Sequence, residues 1–163
     1  MGAQPDPAEA GAGRGFVAAD PTTPDRFAVL LTRGTATLEV WITTDAGAAN
    51  WTKTNVFTAE SGDSFSRPWI AFGPTGALGV VWRSHNTDGS YDVDAVVSQD
   101  GGSIFDAPVR LTAARGPAPA GSLGADDCAC NLHLTDTTIS TTWGDWTTGR
   151  RELWFGSFDY MTP

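Results

Sequence analysis

Three short clusters carry the residue types and spacings of this chain that could do chemistry. Asp92 and Asp94 stand two apart in Asp88-Gly89-Ser90-Tyr91-Asp92-Val93-Asp94. On a β-strand that spacing puts both carboxylates on one side, where they could act as a paired acid and base or as oxygen ligands for calcium. Asp145 precedes Trp146 in Trp143-Gly144-Asp145-Trp146, an acid beside a ring that could stack on a sugar. Cys128, Cys130 and His133, with Asp126 and Asp127 just upstream, offer soft metal ligands. Each has a plainer reading: solvated acids beside a turn, a turn-capping Asp, and two thiols at a strand end. The C-x-C-x-x-H spacing is outside the strong zinc signatures, and a disulfide between residues two apart is strained but possible.

The elements that must position these groups are strands. Apolar runs are short, rich in Val, Thr, Phe and Trp, and separated by Gly, Pro, Asp and Thr clusters. That is a strand-and-turn pattern, and no window shows the i, i+3, i+4 apolar spacing of a helix. The seven Trp residues fall mostly on these strands and read as core. With 163 residues the chain is expected to hold one domain, at 14–163, behind a lead-in over 1–13 rich in Gly, Pro and Ala. A second such stretch, 113–121, reads as a long loop.

The strands repeat. Ser98-Gln99-Asp100-Gly101-Gly102-Ser103-Ile104-Phe105 has the pattern S-x-D-x-G-x-x-aromatic. An Asp at the head of a turn accepts hydrogen bonds from following backbone N–H groups, a Gly supplies positive φ, and the aromatic folds back as a plug. Asp45 lies 55 residues before Asp100, and Asp159 lies 59 after it. The earlier copy keeps Thr43, Asp45 and Gly47 but places its aromatic, Trp51, one residue late. The later copy keeps Ser157 and Asp159 and lacks both the Gly and the aromatic. Upstream, Ala77-Leu78-Gly79-Val80-Val81-Trp82-Arg83 matches Thr138-Ile139-Ser140-Thr141-Thr142-Trp143-Gly144. The spacing slightly exceeds one four-stranded propeller blade.

The repeat resembles the Asp box, or bacterial neuraminidase repeat, of the sialidase-like β-propellers. The resemblance implies an all-β fold: a partial propeller of sialidase type, with about three four-stranded antiparallel blades at 14–59, 65–113 and 126–160. A catalytic ring of that family has six, and the third blade here lacks its outermost strand. The expected occupants of the exposed flanks are a second copy or the remaining blades of a longer chain, unless the N-terminal residues supply a missing strand. In a four-stranded meander the Asp-box turns collect at one end. The opposite end gathers Arg67, Arg83, His85, Asp88, Asp92, the cysteine segment, Asp145, Trp146, Arg150 and Arg151, and in the family that is the substrate face.

The resemblance further implies a glycoside hydrolase acting on glycans outside the cell or at its surface. An arginine would hold a sugar carboxylate, a Tyr paired with a Glu would be the nucleophile, and an Asp the general acid/base. Arg67 loosely matches the arginine, Tyr91 could supply the phenol, and Asp92 or Asp145 the acid. None of Glu9, Glu39, Glu60 and Glu152 sits opposite Tyr91, so the catalytic pair is not recognisable. A non-catalytic module binding glycan or protein, or serving as scaffold, is the alternative. Ten basic against nineteen acidic residues, a net charge of −9, speaks against a nucleic-acid partner. No apolar run approaches the roughly 20 residues of a membrane span, and no signal peptide is visible. No cofactor is expected beyond the calcium option.

Overall fold

The computed structural model describes residues 15–45, 50–114, 116–117, 131–145, 148, 150 and 152–160. Among these there is no helix, and so none long and apolar enough to cross a membrane. The first sheet is a four-stranded antiparallel meander of β1 (Phe16–Ala19), β2 (Phe27–Arg33), β3 (Thr37–Thr43) and β4 (Thr52–Thr58). The second follows with β5 (Ser64–Phe72), β6 (Leu78–His85) and β7 (Ser90–Ser98), then two short outer pieces, β8 (Val109–Arg110) and β9 (Gly116–Pro117). The third has β10 (His133–Leu134), β11 (Thr138–Asp145) and β12 (Glu152–Asp159).

Both outer pieces of the second sheet pair with β7. Arg110 lies opposite Asp94, and Gly116 lies opposite Tyr91. The strand is therefore interrupted, and the loop expected from residue 113 onward returns to the sheet at 116–117. In the third repeat Asp159 ends β12 opposite Thr138 and accepts a hydrogen bond from that residue's hydroxyl at 2.8 Å, and residues 161–163, where its turn is expected, lie outside the described residues.

Period-two alternation decides which residues hold the sheets together. On β2 and β3, Ala28, Leu30, Leu38 and Val40 face the second sheet. They meet Ile70, Leu78, Val80 and Trp82 in one dry cluster, with Phe57 stacked 4.8 Å from Trp82. The other residues of β6 and β7, Val81, Val93, Ala95 and Val97, face the third sheet and pack on Leu134, Ile139, Trp143 and Tyr160. The second sheet is covered on both faces, which is why β6 and β7 are nearly all buried rather than alternating.

The turn after β7 is built by its own side chains. Ser98 Oγ donates to Asp100 Oδ1 at 2.6 Å, and the Ser103 and Ile104 N–H groups donate to the same oxygen at 2.9 and 3.0 Å. The Gly102 N–H donates to Ser98 Oγ at 2.6 Å. Gly102 has φ 105° and its α-carbon abuts Ile42 of the first sheet, so a side chain there would meet both strain and a wall. Phe105 packs half-buried on the first cluster. In the earlier copy Thr43 and Asp45 bond each other's polar atoms at 3.1 Å, Trp51 is half-buried, and Gly47 lies outside the described residues.

Candidate functional site

The turns sort to two ends. The Asp20–Arg26, Gly73–Ala77, Asp100 and Thr135–Thr137 turns share one end, laced by Arg26 Nη2 donating to Gly101 O (2.6 Å) and Gln99 Nε2 to Tyr160 O (3.2 Å). Tyr160 also donates its hydroxyl to Thr135 O at 2.6 Å, which ties it to this end as an anchor. Burial raises its pKa. The opposite end holds the 34–36 and 86–89 connections and the start of β5. There the Phe65 N–H donates to Thr35 O at 3.1 Å, and the Thr87 N–H to Asp63 Oδ1 at 2.9 Å.

At this second end the structure brings together Ser66, Arg67 and His85. Pro68 has no N–H to give the β5–β6 ladder, and the register slips by one residue between Ser66 (opposite Arg83) and Trp69 (opposite Val81). Arg67 sits in this bulge with φ 55°, a left-handed backbone that a residue other than glycine adopts at a cost of about 1–3 kcal/mol. Ser66 Oγ and His85 Nε2 share a hydrogen bond of 2.7 Å. Burial, followed by the charges of Arg83 and Arg67, pushes the His85 pKa below its ordinary 6.5, so the ring is neutral at physiological pH. The result is a half-buried, cation-flanked notch with a neutral imidazole that can exchange hydrogen bonds with a hydroxyl.

Several candidates are placed differently from expectation. Arg83 is buried, not on the open face, because its position on β6 alternates with Trp82 and turns it toward the third sheet. Its Nη2 donates to Gly144 O at 2.9 Å and its guanidinium lies 4.6 Å from the Tyr91 ring centre. Tyr91 is only 1% exposed beneath it, so the phenol proposed as nucleophile is shielded from any substrate. Asp92 is likewise 1% exposed. It accepts from Thr112 Oγ1 (3.0 Å) and Asn86 Nδ2 (3.4 Å) and pairs with Arg110 (3.3 Å). Asp94 does share its side of the strand, and it takes the Ser84 hydroxyl proton at 2.5 Å while Trp82 Nε1 donates to Ser84 Oγ at 3.0 Å. Both carboxylates thus serve protein donors.

Arg150 is exposed and pairs with Glu152 at 3.0 Å, and Glu39 is held by Arg33 and Lys53 on the outer flank of the first sheet. Asp88 caps its own turn by accepting from the Ser90 N–H at 2.8 Å. His133 is exposed on β10. Cys128, Cys130, Asp126, Asp127, Trp146, Arg151 and the side chain of Asp145 lie outside the described residues. Among the described residues no three His, Cys, Asp or Glu side chains group as a metal site. Sequence reasoning missed the Asp20 turn, where Asp20 accepts from the Thr22 N–H (2.8 Å) and hydroxyl (2.7 Å) and pairs with Arg26 (3.2 Å).

No protein-family model and no curated protein matches this chain. Among solved structures it is similar to an alpha-L-arabinanase of Penicillium chrysogenum, complexed with arabinobiose, at TM-score 0.61 and 15% identity. The fold is a partial β-propeller. The match covers 88% of this chain and 45% of that one, so the chain spans less than half the length of its structural relative. The three sheets are therefore successive blades, and the Ser66–Arg67–His85 notch lies at the end of the middle blade opposite the Asp100 turn.

Proposed function

We propose that this chain is a glycan-directed propeller segment that binds sugar at the Ser66–Arg67–His85 notch. The observation that carries the reading is Arg67, held at φ 55° in a Pro-marked bulge beside a neutral His85. Strained backbone of this kind concentrates at ligand-binding sites. A guanidinium fork there suits a sugar carboxylate, in line with a sialidase-like assignment of the Asp100 turn as an Asp box, and His85 suits a ring hydroxyl. The sugar-bound arabinanase with the same fold supports a carbohydrate ligand in general terms. An extracellular or cell-surface setting belongs to the same reading.

The buried Tyr91 and Asp92 favour binding without chemistry by this segment alone. The test is calorimetric titration with sialosides and with neutral arabino-oligosaccharides, on the wild type and on Arg67→Gln. Sialoside binding lost in Arg67→Gln supports the carboxylate reading, whereas binding of the neutral sugar alone moves the specificity elsewhere. Binding of both sugars unaffected by Arg67→Gln removes the notch from the site. No binding of either leaves the scaffold role as the better reading. Release of a fluorogenic leaving group from a sialoside by the isolated chain would overturn the non-catalytic part.

A further inference from the structure

Of the two histidines, His85 is the one whose ring meets a hydroxyl among the described residues. His133 accepts from Ser140 Oγ at its backbone oxygen, 3.4 Å away. At His85 the partner is Ser66 Oγ, 2.7 Å from Nε2. In the neutral ring with its proton on Nδ1, Nε2 carries a lone pair that accepts from the Ser66 hydroxyl. A hydroxyl and a neutral imidazole at about 2.6–3.2 Å are the pair that activates a serine for attack on a carbonyl carbon.

The backbone singles out the same serine. β5 leaves its ladder directly after Ser66, opposite Arg83, and rejoins it at Trp69, opposite Val81, so Ser66 stands at the lip of the bulge. The next residue, Arg67, carries the left-handed φ of 55°. Asp25 is the other residue besides glycine with positive φ among those described, and it lies in a turn. Strain inside a strand is therefore found at this one point among the described residues, beside a polarised hydroxyl, and such strain concentrates at reactive sites. Ser66, Arg67 and His85 are all half-buried, which leaves each partly open to a small molecule. Arg67 brings a positive charge close enough to act on His85, while Arg83 is committed to Gly144 O. A cation at this place favours the oxyanion that forms on a carbonyl under attack.

We propose that Ser66 and His85 form an acyl-transfer dyad that removes an acyl group esterified to a sugar held in the notch. The substrate class rests on the sugar-binding reading above, whereas the dyad rests on the 2.7 Å bond and the bulge. Tyr91 and Asp92 are closed to a glycosidic bond, and an ester bond needs neither. Ser66 Oγ attacks the ester carbonyl carbon and gives its proton to His85 Nε2. The bond from that carbon to the sugar oxygen then breaks, and Nε2 passes the proton to the departing oxygen, leaving the acyl group on Ser66. Water attacks the same carbon, its proton goes to Nε2 and on to Ser66 Oγ as the Oγ–carbon bond breaks, and the carboxylic acid leaves. Water is the one co-reactant, and nothing is oxidised or reduced.

Hydrolysis of p-nitrophenyl acetate and of an O-acetylated sialoside by the whole chain tests this, beside Ser66→Ala and His85→Gln. The amide introduced by His85→Gln can still bond the Ser66 hydroxyl but takes up no proton, so a merely structural tie survives that change and catalysis does not. Both variants should keep the far-ultraviolet β signal and lose ester cleavage by at least about a hundredfold. The wild-type rate should rise with pH through a midpoint below 6.5, because the base is the neutral ring, and Arg67→Gln should move that midpoint upward. A fluorophosphonate should label Ser66, read by peptide mass spectrometry, a measurement that needs no variant. Cleavage that either variant keeps overturns the proposal, as does a label that avoids Ser66 or a midpoint at or above 6.5. A wild type that cleaves neither ester also overturns it, and if the sialoside still binds by calorimetry the sugar-binding reading stands without it. Cleavage of p-nitrophenyl acetate through Ser66, with the sialoside neither bound nor cleaved, supports the dyad and overturns the sugar-binding reading instead.

Discussion

The two joints of the molecule differ in kind. Between the first and second blades the buried cluster is apolar, from Leu30 and Val40 to Trp82 and Val96, and its polar contacts, Trp82 Nε1 through Ser84 to Asp94 and Arg26 to Gly101 O, are hydrogen bonds that border it. Between the second and third blades an apolar cluster of similar make-up encloses a cation, Arg83, which reaches across to Gly144 O over the face of Tyr91. Burial of a charge costs free energy that its hydrogen bonds and ring contact must offset, so the second joint gains less per contact but fixes how the blades meet. The dry joint holds the fold. The joint with Arg83 sets its geometry beside the notch, because Arg83 also helps keep His85 neutral.

The largest effect should come from opening the dry joint. Trp82→Ala removes its biggest fully buried side chain and should cost about 3–5 kcal/mol, read from a denaturant melt. A loss below about 1 kcal/mol would mean that this joint is not the main one. Arg83→Met keeps most of the volume at the second joint but strands Gly144 O, so a loss of about 1–3 kcal/mol is expected. A gain in stability would show the buried cation to be a net cost retained for another reason. Asp100→Ala leaves the Ser103 and Ile104 N–H groups without an acceptor, but they are solvent-exposed, and about 1 kcal/mol is expected. A much larger loss would make the turn part of the first joint instead of its rim.

The smallest effect is on pH dependence. Burial, then Arg83 and Arg67, lowers the His85 pKa below 6.5. The folded state thus binds this proton less readily than the unfolded chain, and its share of stability is present above pH 6.5 and lost as pH falls toward the lowered value. Asp100 is held below 3.8, first by the Ser98 hydroxyl. Burial pushes Asp20 and Glu39 up, but hydrogen bonds from Thr22 to Asp20 and from Arg33 to Glu39, with the nearby cations, outweigh it and leave both lowered. Those contributions are lost at the acid end. Histidine resonances followed by NMR should place the His85 midpoint below 6.5, and Arg67→Gln should bring it back toward 6.5. An unchanged midpoint in Arg67→Gln would separate Arg67 from the notch.

What the sequence made legible is whatever is local. Ser98 to Phe105 contains every atom its turn needs, so the turn could be read from eight residues. The strands were legible for the same reason, since alternation is a property of neighbours. Arg26 was not, because its acceptor lies 75 residues away. Arg83 is the instructive case. It was assigned to the open face from its place near a strand end, yet Leu78, Val80 and Trp82 face one blade, so Val81 and Arg83 had to face the other. Its parity was readable, and only the presence of a third blade on that side turns parity into burial. The strain at Arg67 was half legible: Pro68 announces a bulge, but not which residue in it takes the left-handed backbone.

The bond from Arg26 to Gly101 also has a meaning in time. During synthesis the first meander can close its ladders once residue 58 is available, yet the carbonyl that Arg26 will meet has not been made until residue 101 follows. Asp20 fills the interval. By holding Nη1 at 3.2 Å within the same turn, it keeps the guanidinium aimed along the rim before the next blade arrives, a placeholder that later becomes a clasp.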